Sequence, residues 1–410
     1  MLFKKLFAFS LILFFSTSLL ASDRDIQKER FINHINELEK AFINSKGKRN
    51  SLDDVVKKML SGARRVAAFN LQALGKVYSS YKPENTHNRV FFRNTIRFEF
   101  KLIEDAIGEV KQHMEYLGKT KKEKKIIKHQ RNKAAAIELL KYVLTGDKDF
   151  LDGKVLENYK KPKGKKVKVS DNLTHEGEQI VKKFKALSDK SNKDRSLFWN
   201  KSWFPHKSQS KLSLLSQALT DYPWSSYKED RAFLLSQLSL HLDTIADDTS
   251  LIPTKEGSIL FKNYDLNLLE NGENGEKGLH EYRRELRWFS FQAGVLNGLM
   301  GTDNSCPIND YKDIVLREDL IKSRYTKFPK TPFPDKENVC YISKCLYYKL
   351  ADVISLIGDL KDNSKVYNSE KDIDDNITPR QYAKEAEDIA LGVTKNRLLQ
   401  TMSEQINSCI

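Results

Sequence analysis

The chain contains no P-loop, HExxH, GxSxG or CxxC motif, so nucleotide hydrolysis on a Walker loop, zincin chemistry, a nucleophile elbow and a dithiol redox pair have no sequence support. Histidines do not cluster. Cysteine is confined to four residues in the last third, Cys306, Cys340, Cys345 and Cys409, and without a CxxC pair they argue against a metal site. Asp247-Asp248 is a lone acidic pair at an expected helix end and reads as a cap or turn. The only long apolar run, Leu6 to Leu20, is shorter than the roughly 20 residues that span a bilayer. Lysine-rich stretches at Gly118 to Lys133 and Lys160 to Lys168 lack interleaved aromatics, which argues against a stacking platform for single-stranded nucleic acid.

Positive charge is abundant. The formal net charge is +15, falling to +13 if Lys4 and Lys5 leave with an N-terminal signal peptide. That segment has a basic start, the apolar run and then Ala21-Ser22, the layout of a secretory leader, so residues 1–21 are expected to be cleaved and the mature protein to be soluble and exported, periplasmic in a Gram-negative source and otherwise secreted. About 390 remaining residues can bury a substantial core. In an oxidising compartment the four cysteines are expected to form two disulfides, in one of three connectivities. A Cys306–Cys340 bridge would close the loop-rich stretch they bracket, with Cys409 tethering the tail.

Basic residues gather at helix starts. In Gly278 to Met300, His280, Arg283 and Arg287 share one face beside Arg284, while Leu286, Phe289, Ala293, Leu296 and Met300 form an apolar stripe. Glu281 and Glu285 are placed to relieve the repulsion. A helix expected from Leu52 to about Tyr81, with Ser51 as N-cap, carries Lys57, Lys58, Arg64 and Arg65 at seven-residue spacings ahead of an apolar half. A third helix, His87 to Leu117, repeats Arg89, Arg93, Arg97 and Lys101 at i+4 steps, with Glu99, Glu104 and Asp105 near enough to compensate. Trp199, Trp203 and Trp224 are expected in the core or an interface, and His241 as a satisfied structural histidine.

The later part of that third helix has an echo. Ile107-Gly108-Glu109-Val110-Lys111 returns as Ile357-Gly358-Asp359-Leu360-Lys361, with Ile103 matching Val353 and Phe100 matching Leu350. Glycine inside an apolar helix costs about 1 kcal/mol against alanine, so its recurrence points to a close helix crossing in each half of a duplicated chain.

These residues resemble the CHAD domain (conserved histidine α-helical domain), whose two repeats each begin with a His-x-x-Arg-x-x-x-[Arg/Lys]-[Arg/Lys] helix and later carry a Leu-Gly-x-x-[Arg/Asn]-Asp helix. His280, Arg283 and Arg287 match the first pattern, and Ile357 to Asp362 the second. In the first half Arg64 and Arg65 match the basic doublet, but Lys57 stands at the histidine position and Leu60 at the first arginine. Gln112 replaces the final aspartate. The resemblance covers about Leu52–Leu117 and Gly278–Tyr367. It implies an all-α fold, a helical bundle of two pseudo-repeated helical units, and a basic surface that binds inorganic polyphosphate; the loop-rich, disulfide-stapled insertion expected in the second unit is longer than such a repeat needs. The expected divisions are a leader at 1–21, an N-terminal helix at 22–50, a first repeat at 51–150, a basic and aromatic linker at 151–210, a second repeat at 211–370 with its insertion at 301–339, and a C-terminal helix and tail at 371–410. The expected function is non-catalytic binding of polyphosphate or a similar polyanion, without a cofactor and without specific nucleic-acid recognition. The candidates are His280, Arg283, Arg284, Arg287, Lys57, Lys58, Arg64, Arg65, Arg89, Arg93, Arg97 and Lys101. The alternatives are a structural or protein-interaction role in an envelope and, third, an exported phosphate-ester hydrolase.

Overall fold

The computed structural model describes residues 23–81, 85–119, 123–147, 150, 202–203, 210–253, 259–268, 272, 275–296, 298–327, 339–369 and 379–410. The expected leader, the basic run Lys160 to Lys168, Trp199 and the prolines 329, 332 and 334 lie outside the described residues. The fold is all-α in class, and the chain forms two compact units, Met1–Tyr227 and Lys228–Ile410.

The first unit opens with α1 (Asp23–Phe42). Ser51 then caps α2 (Leu52–Met59), its hydroxyl oxygen accepting from the Asp54 amide at 3.2 Å, with Asp53 and Asp54 complementing the helix dipole. The continuous helix expected from Leu52 to Tyr81 is broken. Ser61 takes an extended conformation (ψ 151°) and α3 (Gly62–Tyr78) starts afresh. Lys57 and Lys58 therefore sit on a different helix from Arg64 and Arg65, and the seven-residue spacing does not align them.

The third expected helix also departs from regularity. It runs as α4 (Thr86–Arg89), a π-helical segment (Val90–Arg97) and α5 (Phe98–Lys119). Hydrogen bonds from i+5 amides widen these turns, so Arg89, Arg93 and Arg97 do not continue a straight i+4 stripe. Gly75 of α3 packs directly on this segment: a Cβ there would stand 2.7 Å from the Arg97 amide nitrogen and 2.9 Å from the Phe92 carbonyl oxygen. The core alongside is aromatic. Phe31, Tyr78, Phe92 and Trp224 meet at centroid distances of 5.1 to 6.1 Å, and the Trp224 indole donates to the Leu219 carbonyl.

Helices α6 (Glu123–Thr145) and α7 (Lys211–Asp221) complete the unit. Lys211, expected at the opening of the second repeat, is tied into the first: its ammonium donates to buried Glu99 at 2.7 Å and lies over the ring of buried Trp203.

The second unit contains α8 (Tyr227–Asp248), an antiparallel hairpin of β1 (Leu251–Pro253) and β2 (Ile259–Phe261), and α9 (Leu279–Val295). It continues through β3 (Met300–Asp303), a 3-10 segment (Asn309–Leu316), α10 (Glu318–Lys322) and β4 (Cys340–Ser343). Helices α11 (Lys344–Ser369), α12 (Pro379–Lys395) and α13 (Leu398–Asn407) follow. Leu286, Phe289, Ala293, Leu296 and Met300 are all buried as expected, although α9 ends at Val295 and Met300 enters from β3. The single C-terminal helix expected within 371–410 is two, divided at Arg397, which adopts φ 52°.

Two disulfides are present, Cys306–Cys345 and Cys340–Cys409. The tail is tethered, but Cys306 does not pair with Cys340. The reason is strand register: β3 and β4 are parallel, with Met300 opposite Cys340 and Asp303 opposite Ser343. Cys306, three residues past β3, therefore meets the first turn of α11, leaving Cys340 for the tail.

Candidate functional site

One geometry occurs in both units. In the first, Arg65 of α3 crosses α5 at Gly108, where a Cβ would lie 3.2 Å from the guanidinium Nη2. In the second, Arg283 of α9 crosses α11 at Gly358, where a Cβ would meet Cζ at 2.5 Å and Nε at 2.7 Å. Glycine lets the arginine lie against the helix at both crossings: at Gly358 a Cβ would displace the guanidinium, and at Gly108 it would press on its end. Arg65 thus stands to Gly108 as Arg283 stands to Gly358, an alignment of the two units that differs from the one placing Leu60 at the first arginine. Gly62 then corresponds to His280 and Phe69 to Arg287.

What each arginine binds differs. Arg65 donates through Nε and Nη2 to Glu104 Oε1, at 3.1 and 2.9 Å. Arg283 donates through Nε to the backbone carbonyl of Ile354 at 2.9 Å. Glu104 and Ile354 each lie one turn before the crossing glycine, so the same position offers a charge in one unit and a neutral dipole in the other.

Around Arg283 the second unit gathers further cations. Arg287 lies over the Phe291 ring at 5.8 Å, and Arg324, from the turn after α10, approaches the same ring at 6.0 Å. Arg324 stacks on Tyr325 at 4.9 Å and donates to its hydroxyl at 2.8 Å, while Phe291 and Tyr325 meet edge to face. Tyr325 is buried. Burial alone would raise its phenol, but the fields of Arg287, Arg324 and Arg283 prevail and hold it below the ordinary tyrosine value. Arg283 and Arg324 form no ion pair among the described residues. The fields of three guanidinium groups thus reach one buried phenol, and two of the three, Arg283 and Arg324, have no carboxylate among the described residues. Arg324 and Tyr325 were not among the expected site residues. Their sequence neighbourhood carries no helical period, and only the fold of the turn brings them to α9.

The remaining candidates are dispersed or compensated. His280 is half-buried in the first turn of α9. Arg284 turns away to Glu281 at 2.5 Å; burial and a hydrogen-bonded Glu285 raise the Glu281 carboxyl against the pull of Arg284. Lys57 is exposed and Lys58 half-buried, neither with an ion pair among the described residues. Arg64 lies 3.4 Å from Glu37. Arg89 is exposed, Arg93 is half-buried, and Arg97 lies over Phe98. Lys101 binds both oxygens of Asp105, at 2.8 and 2.9 Å. Of the three acids expected to relieve the cationic row, Asp105 pairs with Lys101, whereas Glu99 accepts from Lys211 and Glu104 from Arg65.

His241 is a structural histidine, with Nε2 3.0 Å from the Glu285 carbonyl. Asp247 and Asp248 secure the hairpin through Lys262, Asn263 and Lys277. Among the described residues no group of three or more His, Cys, Asp or Glu is arranged to hold a metal ion, and no helix is long and apolar enough to cross a membrane. Comparison with family models, curated proteins and solved structures returned no match.

Proposed function

We propose that the protein is an exported, CHAD-like polyanion-binding protein whose ligand is inorganic polyphosphate, held without catalysis in the second unit by Arg283, Arg287 and Arg324. The observation that carries this reading is the gathering of Arg287 and Arg324 on the Phe291 ring beside Tyr325, with Arg283 one turn before Arg287 on α9 and no carboxylate on Arg283 or Arg324 among the described residues. Guanidinium forks held against aromatic rings and a helix backbone are pre-organised for phosphoryl oxygens, each able to give bidentate, charge-assisted hydrogen bonds. The net charge, +15 for the full chain and +13 without Lys4 and Lys5, supplies long-range attraction for a polyanion. Two disulfides and the leader-like N-terminus fit an exported protein.

The test is direct titration of the mature, oxidised protein with short and long polyphosphate at physiological salt, beside double-stranded DNA of matched charge. Tight binding of long polyphosphate with weak DNA binding supports the reading. Equal, weak and steeply salt-dependent binding of both would show only generic attraction and overturn it.

A further inference from the structure

The arginine–glycine crossing occurs in both units, with a carboxylate on the arginine in the first and a backbone carbonyl on it in the second. We infer that the first unit is a self-neutralised copy of the anion site, in which the Glu104 carboxylate occupies the place that a phosphoryl group takes beside Arg283, so that each chain binds one anion and not two. The inference rests on the reading of the second unit as the anion site.

Three observations carry it. Arg65 and Arg283 stand at equivalent crossings, each against the glycine of an Ile-Gly pair. At the position one turn before that glycine, Glu104 accepts two hydrogen bonds from Arg65 through a single oxygen, whereas in the second unit only the Ile354 carbonyl is offered. A carboxylate and a phosphoryl group present the same oxygen acceptors to a guanidinium fork, so Glu104 is an internal substitute for the ligand. Glu104 is buried while Arg65 remains partly exposed, so a buried carboxylate lies under a guanidinium that solvent can reach. The surrounding residues have changed in the same direction. Phe69 replaces the second arginine and Gly62 the histidine, and no counterpart of the Arg324–Tyr325 turn contacts Arg65 among the described residues.

Because a filled site differs from an absent one, removing the internal anion should expose it. Calorimetric titration of the oxidised full chain with tripolyphosphate is expected to give one site per chain, unchanged in Arg65→Ala. Glu104→Gln, which keeps shape and removes charge, is expected to add a second, weaker binding event that disappears again in Glu104→Gln/Arg65→Ala. The reciprocal change, Ile354→Glu, places a carboxylate one turn before Gly358 and is expected to weaken the original site at least tenfold, whereas Ile354→Met should not. A Glu104→Gln protein that folds and still binds one equivalent, or a wild-type stoichiometry of two that falls to one in Arg65→Ala, overturns the inference. If the wild type binds no tripolyphosphate but Glu104→Gln binds one equivalent dependent on Arg65, the self-neutralisation stands and the polyphosphate reading of the second unit fails.

Discussion

Arg283 lies across α11 at Gly358, its guanidinium filling the space that any larger residue at position 358 would need. The crossing joins the two segments that carry the CHAD resemblance, the cationic helix start and the Ile-Gly helix, and it fixes where the arginine can present its free edge.

Gly358→Ala is therefore expected to affect binding more than stability. The atoms a new Cβ meets belong to the end of a flexible side chain, which can swing aside, and alanine regains about 1 kcal/mol of helix propensity. The melting temperature should change by only a few degrees while affinity for long polyphosphate falls at least tenfold. A lowered melting temperature with unchanged affinity would separate Arg283 from the site.

Gly75→Ala should behave in the opposite way. Here the new Cβ meets backbone, the Arg97 nitrogen and the Phe92 oxygen, and backbone within a helix cannot step aside. Overpacking of this kind costs about 1–3 kcal/mol, so urea unfolding should show a lowered midpoint. An unchanged midpoint would mean that the π-helical segment relaxes easily.

The disulfides close loops of 39 and 69 residues, and in the chain-entropy model each contributes about 4 kcal/mol by restricting the unfolded chain. Cys340→Ser/Cys409→Ser should leave Cys306–Cys345 intact, release the tail and lower stability by an amount of that order. Peptide mapping of the oxidised protein should recover these two pairs, and recovery of Cys306–Cys340 would contradict the parallel register of β3 and β4.

Glu104 gives a pH dependence of definite sign. Burial raises its carboxyl above the ordinary glutamate value, against the attraction of Arg65 and Lys101 and with the help of Asp105. The folded state then holds more protons than the unfolded state between the two values, so this group favours folding at low pH and loses that contribution as pH rises through its folded value. The stability of the wild type relative to Glu104→Gln should fall as pH rises from about 4 towards neutrality. A difference independent of pH, or one that grows with pH, would contradict this assignment.

Much of this arrangement was legible in the sequence. The helical class, the Ile-Gly echo and the Arg283–Arg287 face follow from periodicity, because residues on one helix face keep a fixed spacing. Three features were not. The π-helical turns are written in no local pattern, since Val90 to Arg97 has the composition of an ordinary amphipathic segment. The cysteine pairing depends on a parallel strand register set by residues 40 positions apart. The pairing of Arg65 with Glu104 and the approach of Arg324 to Phe291, the ring that Arg287 covers, are tertiary choices. Charge counted along one helix therefore could not show the π-helical interruption of the Arg89–Lys101 row or the approach of Arg324.

The most direct test compares the affinity for long polyphosphate of Arg283→Ala/Arg287→Ala with that of Arg89→Ala/Arg93→Ala, two variants of equal charge loss. Two charge-assisted contacts at about 1.5–3 kcal/mol each imply a loss of at least a hundredfold for the first. The second should stay within about threefold of the wild type, as for charges that act only at a distance. Equal losses in the two variants would mean that net charge, and not the arginine cluster on α9, holds the ligand.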